Sequence, residues 1–395
     1  MREGRDDLAH YDALIIGAGF AGAVTARQLA EAGRRVLVLE RRDHIGGNAY
    51  DRLDQAGVLI HQYGPHIFHT NDRQVYDYLS RFTPWLDYPH KVVANLPDGK
   101  GGRLEYPVPF NLNSLEIAFG PEEGGRLGEK LIAAYGPEKK VTILELRQNP
   151  DPEIAALADY VYEHVFVHYT MKQWGTTPEQ IDPNTTARVP VFLSRDCRYF
   201  QDAHQGMPLH GYTRLFEAML DHPGIQVRLN TDARDLLDLS GAGIRFEGET
   251  FDGPVVYTGA VDELFGCLFG RLPYRTLDFR FETHPVDLWQ SHGTVNYTVD
   301  EPYTRITEFK HMTGQTIPGA TTIVKEYSRA YTGAPEETPY YAIINPENNA
   351  LYGRYAALAA RHPQLHLLGR LAEYKYYNMD AIVARALALA DGLLK

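Results

Sequence analysis

Two short runs of the chain are apolar at every position: ALII within DALIIG at 12–17, and VLVL within VLVLE at 36–40. Short continuous apolar runs bounded by turn residues predict buried strands. Between them AVTARQLAEAG carries apolar residues at helical spacing and stops at Gly33, which predicts a helix. Further on, GYTRLFEAMLDHPGIQVRLN at 211–230 reads as a helix and then a strand, which would return the chain to the same sheet. Near the end, HLLG reads as a strand running into a turn. Asn378 follows as an N-cap, ahead of the stripe Met379, Ile382, Val383, Ala386, Leu387 and Ala390. Helical patterns fill 112–185 (LGEKLIAAYG, EIAALADYVYEHVF), and 251–345 alternates strand-like segments with turns such as VDEPY and TGAP. Neither repeats nor low-complexity linkers are visible, so the domains should be interleaved.

The turn between the first strand and its helix is GAGFAG. Gly17, Gly19 and Gly22 allow a tight turn, the approach of a pyrophosphate, and close helix packing. The helix then faces the phosphates with its free N–H groups and its positive dipole end. Glu40 closes the second strand, where its carboxylate can accept from ribose hydroxyls. A complete strand–GxGxxG–helix–strand–Glu arrangement predicts a dinucleotide site. The next stretch, RRDHIGGNAYD, resembles the extended phosphate contact of glutathione-reductase-like FAD proteins: Gly46 and Gly47 leave room for pyrophosphate, and Arg41 can lie along the adenine ribose. No second GxGxxG occurs, which disfavours enzymes that reduce their flavin through a separate NAD(P)H domain.

At 395 residues the chain should form two or three domains. Its formal charge of -12 argues against a general nucleic-acid or anionic-membrane surface, so an anionic ligand must be held by a few placed arginines. Cys197 and Cys267 lack CxxC spacing and make no disulfide framework. With no signal-peptide pattern and no run of membrane-spanning length, the cytoplasm is the expected location. Tyrosine outnumbers phenylalanine 26 to 16, which suits both wet clefts and cores. One stretch, HYTMKQWG at 168–175, sets Tyr169 and Trp174 five apart, the wrong spacing for a single helical face. It reads either as a partly buried aromatic turn or as two platforms for a flat ligand.

Taken together, GAGFAGAV, RRDHIGGNAYD, YGPHIFHT, YPVPFNLNSL, YTMKQWG, RVPV, RYF, PYTRITEFKH, KEYSR, PYY and GRLAEYKYYNMD resemble the UDP-galactopyranose mutases in order and nearly end to end. The resemblance implies an α/β fold: a glutathione-reductase-like, Rossmann-like FAD domain from 10–85, 205–262 and 345–395. A helical domain at 106–187 would be inserted in it, beside an antiparallel sheet domain for substrate from 86–105, 188–204 and 263–344. It places FAD on Gly17, Gly19, Ala21, Gly22, Glu40 and Arg41, then on Gly46, Gly47, Asn48, His66 and Ile67. Val227, Gly369, Arg370, Asn378 and Met379 complete those contacts, the last helix pointing its N-terminus at the flavin. Tyr169 would stack on uracil and Trp174 would line the sugar and diphosphate cleft. Arg188, on a loop that closes over substrate, and Arg305 match the family's diphosphate arginines, whose planar forks suit phosphate oxygens. Tyr199, Tyr340 or Tyr341, and Tyr376 match its hydroxyl donors. His66 falls beside the flavin, His90 reaches the uridine or sugar, and His69 is structural. Two departures stand out: a longer hairpin, LPDGKGGRLE at 96–105, and Asn378 where some members carry aspartate.

The implied activity interconverts UDP-galactopyranose and UDP-galactofuranose without net redox, as a step of galactofuranose biosynthesis for cell-surface glycans. Only reduced FAD would be active, with flavin N5 forming a covalent intermediate with the sugar while Arg188, Arg305 and His66 serve the reaction. The flavin needs an external reductant, and a homodimer is the expected assembly. No metal site is expected. Two rivals keep the same fold: an amine-oxidase-like flavin oxidoreductase, and a non-enzymatic binder like the GDP-dissociation inhibitors.

Overall fold

The computed structural model describes residues 11–175, 177, 190–241 and 243–395, less the side chains of Phe166 and Trp174. Arg188 and the Trp174 side chain therefore lie outside the described residues.

Both all-apolar runs are central strands of a five-stranded parallel sheet. Its order across the sheet is Ile225–Arg228, Val36–Leu39, Ala13–Ile16, Val255–Tyr257, Leu365–Leu367. The run has no polar position because both faces are covered. Ile15 and Val38 point into one core, with the helices Phe20–Glu31, Tyr212–Leu220 and Met379–Leu393, while Leu14, Leu37 and Leu39 point into another. As expected from 211–230, the helix there is followed by a strand pairing in parallel with Val36–Leu39. Asp51 caps that helix from a distance, accepting from Tyr212 N at 2.6 Å and Thr213 N at 2.8 Å, because Gly211 at the N-cap has no side chain to do so.

The second large sheet has seven strands, in the order Tyr341–Ala342, Tyr274–His284, Thr321–Ala330, Arg305–Glu308, Thr294–Tyr297, Val92–Pro97 and Arg103–Val108. Neighbours are antiparallel except Val92–Pro97 and Thr294–Tyr297, a parallel pair that joins distant parts of the chain. The hairpin at 96–105 is present, its turn held by Asp98 Oδ1 accepting from Lys100 N and Gly102 N. Its second strand runs on to Val108, beyond residue 105.

The helices Leu112–Phe119, Pro121–Tyr135, Ile143–Arg147 and Pro152–Val161 pack around their own core of Leu115, Leu131, Leu157 and Val191. A π-helical segment, Tyr162–Val167, leads directly into the helix His168–Trp174. HYTMKQWG is thus helical, not a turn. Lys172 Nζ donates to the Tyr297 and Glu301 carbonyls, and Arg275 Nε and Ser328 Oγ donate to the Gln173 carbonyl, fastening this helix to the seven-stranded sheet. Gly175 ends it in the left-handed region at φ 67°, where a Cβ would lie 2.6 Å from Arg275 Nη1. No helix among the described residues is long and apolar enough to cross a membrane.

Candidate active site

A cleft opens at the carboxyl ends of the parallel strands, where ligands of such sheets bind. Gly17 sits at φ 106°, and a Cβ there would fall 2.0 Å from Thr258 Oγ1. Gly19 and Gly47 face each other so closely that a Cβ on Gly47 would be 2.9 Å from Gly19 Cα. The Gly46 N–H donates to the Ala18 carbonyl at 2.9 Å, tying the two glycine loops together. Glu40 is buried at the cleft edge and accepts from Ala18 N at 2.9 Å and Arg42 N at 3.0 Å, with lone pairs left for hydroxyls. The helices Phe20–Glu31 and Met379–Leu393 begin on this cleft, and no side chain caps either one. Bare glycine backbone, uncapped helix starts and a buried carboxylate fit a dinucleotide pyrophosphate and its ribose.

His66, Asn48, Arg370, Tyr377, Asn378 and Met379 line this cleft and also a second cavity, of about 720 Å³, which it therefore adjoins. The seven-stranded sheet floors the second cavity. One cross-strand row is Asn296, Arg305, Glu326, Phe279, each paired in register with the next. Val92, Val108 and Leu277 extend the floor with apolar surface. Arg305 Nη2 donates to the Tyr169 hydroxyl at 2.7 Å, and Arg305 Nε stands 3.4 Å from Glu326 Oε2. Arg305 Nε and Glu326 Oε1 are buried without a hydrogen-bond partner. Such atoms carry a desolvation cost that a polar ligand can relieve. Burial disfavours the Arg305 charge and is the largest single influence on it, but Glu326 with Tyr169, Tyr341 and Tyr199 together outweigh it and the guanidinium stays protonated. On Glu326 burial pushes the carboxyl up, against the pull of Arg305. Tyr341 and Tyr376 stack at 6.3 Å, and the Arg370 guanidinium lies over the Tyr376 ring while Nε donates to the Tyr377 carbonyl. Lys140 is the third cation on the wall, 5.5 Å over the Phe192 ring. Three cations face one carboxylate among the described lining residues, local positive charge in a chain of net -12.

Three histidines here are held neutral. Burial lowers His61, His66 and His90 to about 3, with His61 adding to the effect on His66 and Arg305 to that on His90. Because His66 Nδ1 lies 2.9 Å from the Gly64 carbonyl, its proton is there and Nε2 is an acceptor. Unfolded histidine titrates near 6.5, so each of the three takes up a proton on unfolding between about 6.5 and 3. The unfolded state then binds more protons, and stability falls as pH is lowered through that window. Thermal melts between pH 7 and 4 should show the slope, and His61→Asn, which still accepts the His66 N–H, should flatten it. An unchanged slope would mean that His61 is already protonated in the folded protein.

Most of the expected site residues meet on these two walls. Gly17, Gly19, Ala21, Glu40, Arg41, Gly46, Gly47, Gly369 and Arg370 line the cofactor cleft. Tyr169, Tyr199, Arg305, Tyr340, Tyr341, Tyr376 and His90 line the second cavity, and so does Ile67, which was expected on the cofactor. Two residues expected on the cofactor lie off these walls. Val227 lines neither wall; paired in register with Val38, it packs on the core beneath the sheet. Gly22 lies behind the turn, where a Cβ would be 1.9 Å from the Gly17 carbonyl oxygen, so its part is packing. Asn378 occupies the N-cap position but makes no side-chain cap bond. His69, read as structural, is on the cavity wall. Glu326, Asn296, Phe200 and Lys140 were not singled out. Glu326 and Phe200 left a trace in sequence, as members of the motifs KEYSR and RYF.

The profile of the UDP-galactopyranose mutase family matches residues 164–376, and that of an NAD(P)-binding Rossmann-like domain matches residues 15–82. A UDP-galactopyranose mutase from Mycoplasma pneumoniae is 37% identical over 98% of this chain and 96% of its own length. A dTDP-fucopyranose mutase from Escherichia coli is 33% identical over 97% of this chain and 98% of its own. In fold, a crystal structure of reduced UDP-galactopyranose mutase superposes with a TM-score of 0.70 at 16% identity, covering 97% of this chain and 94% of that one. With a profile spanning over half of the chain and relatives matched end to end, this chain belongs to the UDP-galactopyranose mutase family.

Proposed function

We propose that the protein interconverts UDP-galactopyranose and UDP-galactofuranose, with reduced FAD in the glycine-lined cleft and the nucleotide sugar in the adjoining cavity. The observation that carries this is the junction: six residues, Arg370 among them, belong to both walls, so a flavin ring and a sugar would meet there, while Arg305 and Lys140 line the second cavity alone. When bound, reduced flavin supplies the nucleophile for the anomeric carbon. The chain does the rest. Arg305, held by Tyr169 and Glu326, and Arg370, fixed on Tyr376 and the Tyr377 carbonyl, oppose the charge that gathers on the diphosphate as the anomeric C–O bond breaks. Arg188 is proposed as a second phosphate clamp on the family motif RVPV. Neutral His66 accepts a hydrogen bond at Nε2 beside the cofactor without adding charge. The apolar floor of Val92, Val108, Leu277 and Phe279 keeps water from the reacting carbon.

The three-part domain division, a homodimer, a cytoplasmic location and an external reductant belong to the same proposal. The test is anaerobic incubation of dithionite-reduced and of oxidised protein with UDP-galactofuranose, products read by chromatography. Conversion by the reduced protein alone is expected, with no net oxidation of sugar. Equal turnover by the oxidised protein would refute the reduced-flavin reading, and a preference for a dTDP-fucose substrate in the same assay would move the substrate assignment to that relative's.

A further inference from the structure

Lys140 stands on the wall of the substrate cavity and has no role in the function proposed above. Its backbone is fixed: Lys140 pairs in register with Phe192, and the Leu193 N–H donates to the Lys139 carbonyl at 2.8 Å. Its head is not. Nζ lies 5.5 Å from the centroid of the Phe192 ring and makes no hydrogen bond or ion pair among the described residues. The other two cations of the described wall are committed, Arg305 to the Tyr169 hydroxyl and Glu326, Arg370 to the Tyr377 carbonyl and the Tyr376 ring. The carboxylates that act on Lys140 through space are taken as well. Asp196 accepts from Arg198 Nε and Nη2, while Asp202 accepts from Asn71 Nδ2 and has His69 Nδ1 3.0 Å from its other oxygen. A lysine held at its root, with N–H donors and no acceptor, is poised for an anion that enters the cavity. Burial already pulls the ammonium pKa down, so an anionic partner would offset a desolvation cost that exists before binding.

The charges on the wall say which anion. Arg305 is balanced by Glu326, the one carboxylate among the described lining residues, and burial holds His66 and His90 neutral. Arg370 and Lys140 are therefore the unbalanced positive charges there. When the anomeric C–O bond of a nucleotide sugar breaks, its electron pair stays on the terminal phosphate oxygen, and the carbon passes to the reduced flavin of the function proposed above. The free nucleoside diphosphate then carries one more negative charge than the sugar ester did. That pair of electrons returns to carbon when the bond is remade. We propose that Lys140 is the cation that retains the departed nucleoside diphosphate, gripping the added charge on its terminal phosphate until the sugar returns. The inference rests on the nucleotide-sugar function. Arg305 and Arg370 are aimed before substrate arrives, whereas a point charge on a flexible stem can follow a phosphate as it changes from ester to free end.

The experiment uses Lys140→Met, which keeps the stem over Phe192 and removes the charge, with Lys140→Arg as the charged control. Oxidised holoprotein at pH 8 is titrated calorimetrically with UDP and with UDP-galactose, which differ in the charge on the terminal phosphate. Lys140→Met should lose about three- to tenfold in affinity for UDP and less than about twofold for UDP-galactose, and Lys140→Arg should keep most of both. Added salt should weaken UDP binding to the parent more than to Lys140→Met. Turnover of UDP-galactofuranose by the reduced protein should fall by the factor seen with UDP, in kcat more than in KM. A merely solvated lysine would leave UDP affinity, its salt dependence and kcat unchanged in Lys140→Met, and that result overturns the proposal. An equal loss on UDP and UDP-galactose overturns it too, because Lys140 would then not read the added charge. A parent that binds UDP yet turns over no furanose refutes the proposed reaction instead, and the two titrations still decide Lys140.

Discussion

Arg305→Ala is expected to lower turnover by roughly 10²–10³-fold, about 2.7–4 kcal/mol of barrier, while leaving flavin content unchanged. The guanidinium sits mid-row between Asn296 and Glu326 and is tied to Tyr169, so it is aimed before substrate arrives. Its benefit grows as charge builds on the departing diphosphate, which places the loss in kcat as well as KM. Lysine should rescue in part, because it brings a point charge without the fork. Truncation also strands Glu326, buried beside the vacated site. Breaking a buried pair from one side is costly, so Arg305→Ala should also melt lower than the parent. Arg305→Ala with Glu326→Gln should regain thermal stability and none of the turnover. If the double variant recovers activity, the single variant failed by misfolding and Arg305 is not a phosphate clamp.

Gly22→Ala should cost about 3 kcal/mol of stability and strip the protein of flavin. The new methyl would lie 1.9 Å from the Gly17 carbonyl oxygen and 3.0 Å from Ile15 Cγ2, both on the strand and turn that support the cleft. Relief requires the helix Phe20–Glu31 to back away from the strand Ala13–Ile16, which opens the glycine turn. Gly33→Ala is the control: its φ is 84° but nothing lies within 4 Å of the added Cβ, so only backbone strain of about 1–2 kcal/mol applies. Absorbance at the flavin band after dialysis, with denaturant melts, separates the two. A Gly22→Ala protein as yellow and as stable as the Gly33→Ala control would show that the turn tolerates the methyl.

The cofactor half of the site was legible because its signals are local. Gly17, Gly19, Gly22 and Glu40 fall within one strand–helix–strand unit, and each type is demanded by backbone geometry nearby. The substrate floor is another matter. Asn296, Arg305, Glu326 and Phe279 are brought into one row by strand register, and register is set by pairing between segments far apart in sequence. The motif PYTRITE pointed to Arg305, but nothing in it named Glu326 as its partner. The place of His69 on the cavity wall was hidden for a related reason: its partner Asp202 is 133 residues away. Val227 was expected on the cofactor from the family resemblance, whereas in the fold it pairs with Val38 and packs on the core.

The order of the parallel sheet bears on how the enzyme is made. Its two central strands are translated long before their outer partners at 225–228, 255–257 and 365–367, and the second helix start on the cofactor cleft comes at 379. At about 5–20 residues per second, roughly 20–80 s separate the first turn from the last. Throughout that interval ALII and VLVL lack their full cover, and long-range parallel pairing is intrinsically slow. The nascent chain can neither close its nucleotide site nor fully cover its central strands until residues 365–393 have been made. Flavin can then join only after the helix Met379–Leu393 has been made, so the cofactor meets a sheet that has already been assembled without it.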